Sequence, residues 1–209
     1  MSTSRSYRSS LREQRAQETK LRIRESAHKL FAAQGFVETT ISQIAEGAGV
    51  SPQTIYAVFG TKGSIVGAML EFLEESVGIE SWVARLVSED DSRKQLRLFV
   101  AMNRSMFENG APILRAAIAA RSDPEVAAMG ERGDKRRREG ASQLCQMWAA
   151  NGALRGGLGE ADAAQRLWLL TSVEQFLIAT EGLGWLPDRY ERWLGDLLER
   201  ELLDTTAQA

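Results

Sequence analysis

Residues 40–65 read TISQIAEGAGVSPQTIYAVFGTKGSI, and three helix starts are written into them. Thr40 and Gln43 stand at the spacing of a capping box, in which the threonine hydroxyl and the glutamine amide satisfy each other's backbone donors. A helix therefore begins at Ile41, with Ile41, Ile44, Ala45 and Ala48 on its buried face and two alanines that let another helix approach closely. Gly49 supplies the positive φ of a tight turn and Val50 plugs the corner. Ser51 and Pro52 then form a matched N-cap and first-turn pair. The helix they start runs to Phe59, burying Ile55 and Phe59 one turn apart. Gly60 ends it, and Thr61 caps the next.

Upstream, Ile23, Ala27, Leu30 and Phe31 have the spacing of one helical face, with Gly35 as a left-handed C-cap. Two short helices joined by a glycine turn and packed on a longer first helix make a helix-turn-helix. The capping, glycine and apolar positions all agree on that one arrangement. In this motif the second helix enters the major groove. Its outward residues Ser51, Pro52, Gln53, Thr54 and Tyr56 are therefore the candidate DNA contacts. Gln53 can present a bidentate amide to adenine, and Thr54 and Pro52 can touch a phosphate or a thymine methyl. Tyr56 can donate to a phosphate oxygen; the alternative is a surface tyrosine closing the small core. Thr40 and Ser42 can grip a phosphate on the other groove wall, with simple capping as the competing role of Thr40. Lys62 stands in the first turn of a helix, where the dipole disfavours a cation. A phosphate docked there would explain it, since backbone N–H groups, helix end and ammonium would then act on one anion.

The stretch resembles the DNA-binding domain of the TetR family of bacterial transcriptional regulators, over roughly residues 19–70. The rest of the chain matches that family only in size, helicity and tail character. The resemblance implies phosphate contacts for Tyr56 and Lys62, a homodimer formed by the last two helices, and a small-molecule effector in the C-terminal region. Two positions depart from the family pattern. Val58 stands where many relatives carry histidine or tyrosine, removing a possible phosphate contact. Gln53 stands where glycine is frequent, implying a different base preference.

Composition agrees with this frame. Few prolines and abundant Ala, Leu, Glu, Arg and Gln predict an all-α protein, a nine-helix TetR-like architecture. The expected helices after Thr61 span about 62–86, 91–108, 111–121, 123–151, 160–182 and 188–203, with a break at 152–159. The expected domains are a flexible basic arm at 1–13, a helix-turn-helix domain at 14–61, and a helical effector-binding and dimerisation domain at 62–209. Residues 1–67 hold nine Lys/Arg against five acids, a surplus of +4, which leaves −6 on the remainder of a chain of net charge −2. A basic head on an acidic body points to a local polyanion-binding surface. The arm from Arg5 to Arg15 is a further candidate for minor-groove contact, though a terminus without structure is the preferred reading.

One cysteine, Cys145, and one histidine, His28, exclude an intrachain disulfide framework and leave no cofactor or metal constellation. Both lie in apolar helical patterns without a catalytic partner, which argues against an enzyme. No apolar run is long enough to span a bilayer, so a reducing cytoplasm is the expected compartment. In the acidic body, Phe99, Met102, Asn103, Met106, Phe107, Met147, Trp148, Thr171 and Gln175 are candidates to line an effector cavity, weighed against plain core packing. The KRRR run at 135–138 reads as a solvated face. The leading expectation is an effector-released repressor; the alternative is a helical interaction protein that keeps the helix-turn-helix as a scaffold.

Overall fold

The computed structural model describes residues 3–204, with side chains from residue 12 onward. The described residues are almost wholly helical, and no helix among them is long and apolar enough to cross a membrane. The helices are α1 (Thr3–Glu38), α2 (Ile41–Ala48), α3 (Pro52–Phe59), α4 (Lys62–Val77), α5 (Ile79–Val87), α6 (Ser92–Ala119), α7 (Pro124–Ala150), α8 (Glu160–Leu170), α9 (Val173–Leu177) and α10 (Pro187–Leu202). A π-helical turn, Ile178–Gly182, follows α9. Taking α8, α9 and this turn as one interrupted rod, the described chain has nine helical rods, the all-α architecture expected.

The segmentation differs from expectation at four places. Helix α1 carries its backbone through residues 3–13, where an arm is expected, because nothing between Thr3 and the amphipathic region breaks a helix; the side chains of Arg5 and Arg8 lie outside the described residues. The predicted helix over 62–86 breaks at Gly78, whose φ of 68° leaves the right-handed region. The two predicted helices at 91–108 and 111–121 are one, because Pro112 removes a single rung that the 28-residue α6 tolerates. The predicted helix over 160–182 is interrupted at Thr171, where the Ser172 side chain accepts from the Gln175 N–H and restarts the chain as α9.

The chain divides into two compact units, residues 1–72 with 112–129, and residues 73–111 with 130–209. The core of the first is built on Ile23, Ala27, Phe31, Ile44 and Ile55, all buried, with Ile65 and Val66 of α4. The core of the second holds Leu96, Val100, Trp148, Leu167, Leu194 and Leu198. Among the described residues, the Tyr190 hydroxyl and the Trp168 indole N–H are buried in this unit without a hydrogen-bond partner, whereas Trp148 and Gln95 are paired. The Trp148 indole N–H donates to Gln95 Oε1 at 2.8 Å, and the Gln95 amide donates to the carbonyl of Glu89 at 2.6 Å. The expected break at 152–159 is tied down by antiparallel pairing with the end of α10: the N–H of Arg155 donates to Leu202 and that of Asp204 to Ala153.

Candidate nucleic-acid interface

The first unit builds its exposed face from local chemistry. At the start of α2 the Thr40 hydroxyl accepts from the Gln43 N–H at 3.2 Å, and Gln43 Oε1 accepts from the Thr40 N–H at 2.8 Å, completing the capping box. Gly49 takes φ 64°, ψ 39°, and the Val50 N–H closes back on the carbonyl of Ala45 at 3.0 Å. This left-handed turn reverses the chain within two residues. The Ser51 side chain accepts from the Thr54 N–H at 3.1 Å, and Pro52 fills the first helical position. Helix α3 buries Ile55 completely, which turns Gln53, Tyr56 and Ala57 outward.

What sets the approach of α2 to α1 is a contact that sequence periodicity does not disclose. Ser26 is buried on α1, and its hydroxyl donates to the carbonyl of Ile44 on α2 at 2.9 Å. Gly47 lies against it: a Cβ added there would meet the Ser26 hydroxyl closer than 3.0 Å, which real Cβ atoms essentially never show. Glycine at 47 is thus a spacing requirement between the two helices.

The predicted DNA-contact residues fall into two groups. Gln53, Ser42 and Tyr56 are exposed, Tyr56 at 56% the only aromatic residue on the outward face of α3, and none of the three forms a side-chain hydrogen bond among the described residues. Thr40, Ser51 and Thr54 have hydroxyls engaged in the local caps, with Ser51 and Thr54 oxygens 3.0 Å apart, while Pro52 is half-buried. Lys62 departs from the expectation of a cation free to meet a phosphate beside the α4 amides. Its ammonium donates to the carbonyls of Phe36 and Thr39, both at 2.7 Å, and sits 4.1 Å from the centre of the Phe36 ring. The physical reason is the end of α1 and the residue just beyond it, where carbonyls at the negative end of the helix attract a cation. Burial lowers the Lys62 pKa, with nearby Glu38 opposing the shift. One of its three N–H donors remains.

The start of α4 holds a second feature beyond local sequence reading. The Thr61 hydroxyl donates to Glu125 Oε2 at 2.7 Å, and the Ser64 hydroxyl donates to the same oxygen. Glu125 lies in the first turn of α7, more than sixty residues on. Two glycines of α4 face this segment. A Cβ on Gly63 would stand 2.8 Å from Asp123 Oδ1, and one on Gly67 would strike the Met129 side chain.

The predicted effector residues all lie in the second unit. Phe99, Asn103, Phe107, Trp148 and Thr171 are buried, and Met102, Met106, Met147 and Gln175 are half-buried. Phe107 meets Phe176 with ring centroids 5.7 Å apart. Their polar groups are used within the fold: the Asn103 amide donates to the carbonyl of Phe99, the Thr171 hydroxyl to Leu167 and the Gln175 amide to Leu169. A separate groove of about 620 Å³ is lined by Arg85, Arg93, Lys94, Arg97, Glu89 and Glu191 among others, and by none of these predicted residues. The KRRR run is less uniform than a solvated face: Arg137 donates to the carbonyl of Thr171 at 2.8 Å and pairs with Asp134, and burial lowers its pKa.

Residues 23–69 match the family model described as bacterial regulatory proteins, tetR family. The chain is similar to the HTH-type transcriptional regulator TtgR of a Pseudomonas putida strain, 43% identical over 61 residues, which is 29% of each chain. It is equally similar to the probable HTH-type transcriptional regulator ArpR of Pseudomonas putida. Both matches thus span under a third of the relative. Over most of the chain the likeness is one of fold. A transcriptional regulator from Saccharomonospora viridis, solved in complex with choline, superposes with a TM-score of 0.72 at 22% identity, covering 90% of this chain and 99% of that one. NalD, the secondary repressor of the MexAB-OprM efflux pump in Pseudomonas aeruginosa, superposes with a TM-score of 0.69 at 22% identity, covering 92% and 99%.

Proposed function

We propose that this chain, whose residues 23–69 match the model of the bacterial regulatory proteins of the tetR family, is a member of that family and a dimeric, sequence-specific DNA-binding transcriptional regulator, a repressor released from its operator by a small-molecule effector. The observation that carries the reading is the outward face of α3. Gln53 and Tyr56 stand in solvent on a helix fixed from beneath by fully buried Ile55 and at its start by the Ser51 and Pro52 cap. A glutamine amide reads adenine in the major groove; a phenol donates to phosphate and fixes register. Ser42 and Thr40 at the start of α2 supply phosphate contacts on the opposite groove wall, and Lys62 contributes through its remaining donor.

Dimerisation is supported by apolar surface in the second unit. Leu169, Ile178, Leu183, Leu186 and Trp193 are all exposed, four of them by more than half, and they cluster in sequence between α8 and α10. Covering such residues with their copies about a two-fold axis removes them from water. A dimer then offers two α3 helices to half-sites about 34–36 Å apart. An effector that prefers the non-binding arrangement lowers DNA affinity by linkage, and its site is assigned to the region of Phe99, Asn103, Met106, Phe107, Met147, Trp148, Thr171 and Gln175.

Selecting fragments of the source genome on the purified protein tests the reading. The expected outcome is enrichment of a pseudo-palindromic site, with a dimer mass by sedimentation. A monomer that enriches no sequence would refute it, and would favour a helical interaction protein that uses the motif only as a scaffold.

A further inference from the structure

Tyr190, near the start of α10, is only 1% exposed, yet its hydroxyl has no hydrogen-bond partner among the described residues. A buried hydroxyl left unpaired lowers stability, and phenylalanine would fill the same space without that cost. The surroundings are aromatic. The Phe176 ring stands edge-on to Tyr190 with centroids 5.3 Å apart, and Phe107 reaches Phe176 at 5.7 Å. Phe107 belongs to the region assigned above to the effector. The polar groups predicted to anchor a ligand there, those of Asn103, Thr171 and Gln175, are spent on backbone carbonyls. Tyr190 brings the donor they lack.

Phe176 stands on a five-residue helix with irregular backbone on both sides. Helix α8 stops before Thr171, and beyond Leu177 the chain widens into the π turn Ile178–Gly182. Such turns are rare and occur frequently at functional sites. Phe176 can therefore yield to an entering molecule while α8 and α10 keep their hydrogen bonds.

The charges nearby decide what kind of molecule fits. Burial pushes the Tyr190 hydroxyl up to about 12 against the opposing effect of Arg137, so at neutral pH it is a neutral phenol with a proton to donate. Arg137 is already committed: its guanidinium donates to the carbonyls of Trp168 and Thr171 and to Asp134, and Glu174 adds a second negative charge. With Arg137 matched in this way, an entering carboxylate would lose its hydration without gaining a counter-charge. An uncharged oxygen acceptor meets the phenol at far lower cost.

We propose that Tyr190 is the polar anchor of the effector site, and that the effector is an uncharged molecule with an aromatic body and a hydrogen-bond-accepting carbonyl oxygen. The phenol donates to that oxygen while Phe107 and Phe176 pack against the ring. The proposal rests on the effector-regulated reading above and deepens it by naming the ligand class and a residue that sequence periodicity did not single out.

The test is calorimetric titration of the full chain, wild type and Tyr190→Phe, with three probes: acetophenone, ethylbenzene, which has the same carbon count without the oxygen, and benzoate. Wild type should bind acetophenone more tightly than ethylbenzene or benzoate. Tyr190→Phe should weaken acetophenone by about tenfold to a hundredfold and leave ethylbenzene unchanged, since only the ketone loses a buried donor. Without ligand, the thermal midpoint of Tyr190→Phe should equal or exceed that of wild type, whereas a hydroxyl serving the fold would lower it. No binding of acetophenone to wild type, equal acetophenone affinity in the two proteins, or a lowered midpoint overturns the proposal and leaves DNA binding standing. Anisotropy with a duplex from the genomic selection separates the two readings. Acetophenone that binds through Tyr190 without changing duplex affinity supports this site and refutes release by an effector.

Discussion

Substituting Gly47 by alanine tests whether the spacing of α1 and α2 is set by the Ser26 contact. The new Cβ would lie within 3.0 Å of the Ser26 hydroxyl, whereas ordinary contact begins at 3.4 Å, so one of them must move. The cheapest movement rotates the Ser26 hydroxyl away. That breaks its 2.9 Å hydrogen bond to the carbonyl of Ile44, worth about 1 kcal/mol, and leaves a buried hydroxyl unpaired at about 1–3 kcal/mol. Alanine returns up to about 1 kcal/mol of helix propensity. The net expectation for Gly47→Ala is a loss of about 1–3 kcal/mol. Ser26→Ala alone loses about 1 kcal/mol with its hydrogen bond. In the double variant the oxygen is gone and the nearest remaining atom, the Ser26 Cβ, stands at 3.4 Å, an ordinary contact. The pair should therefore be close to wild type, with a favourable coupling of about 2–4 kcal/mol, the sum of the two single losses. Urea denaturation followed by circular dichroism, at one fixed protein concentration, measures all four proteins. Strict additivity, or a Gly47→Ala protein as stable as wild type, would refute the reasoning.

Other consequences are simpler. Tyr56→Phe removes an exposed hydroxyl that supports no fold contact, so stability should stay within about 0.5 kcal/mol of wild type while affinity for all duplexes falls, as anisotropy would record. Lys62→Met deletes two hydrogen bonds to the carbonyls of Phe36 and Thr39, and a drop of about 1–3 kcal/mol in unfolding free energy is expected even without DNA. Cys145 is fully buried and burial pushes its thiol up to about 12, so iodoacetamide should leave it unmodified at pH 8 until denaturant is added, as mass spectrometry of intact protein would show.

The sequence disclosed those features whose cause is local. The capping box at Thr40 and Gln43, the turn at Gly49 and the Ser51 and Pro52 start each depend on neighbours within four residues, and the structure builds all three as read. The placement of Lys62 was not legible, because its partners at Phe36 and Thr39 lie 26 and 23 residues away. Ser26 with Gly47, and Glu125 with Thr61 and Ser64, belong to the same class. Their only sequence trace is a small or glycine residue on a helix, at Gly47, Gly63 and Gly67, which marks close approach without naming what approaches. The break expected at 109–110 is absent for the opposite reason, since α6 runs on through it and through Pro112, whose lost rung the rest of the helix outweighs.

The central claim, that the outward face of α3 reads base edges, is tested most directly by the base preference of Gln53→Ala on the selected site. Every single-base variant of one half-site is titrated with wild type and variant protein. The account predicts that wild type discriminates at one A·T pair by a factor equivalent to about 1–3 kcal/mol, and that Gln53→Ala loses this discrimination at that pair alone. Identical preference profiles for the two proteins would contradict it.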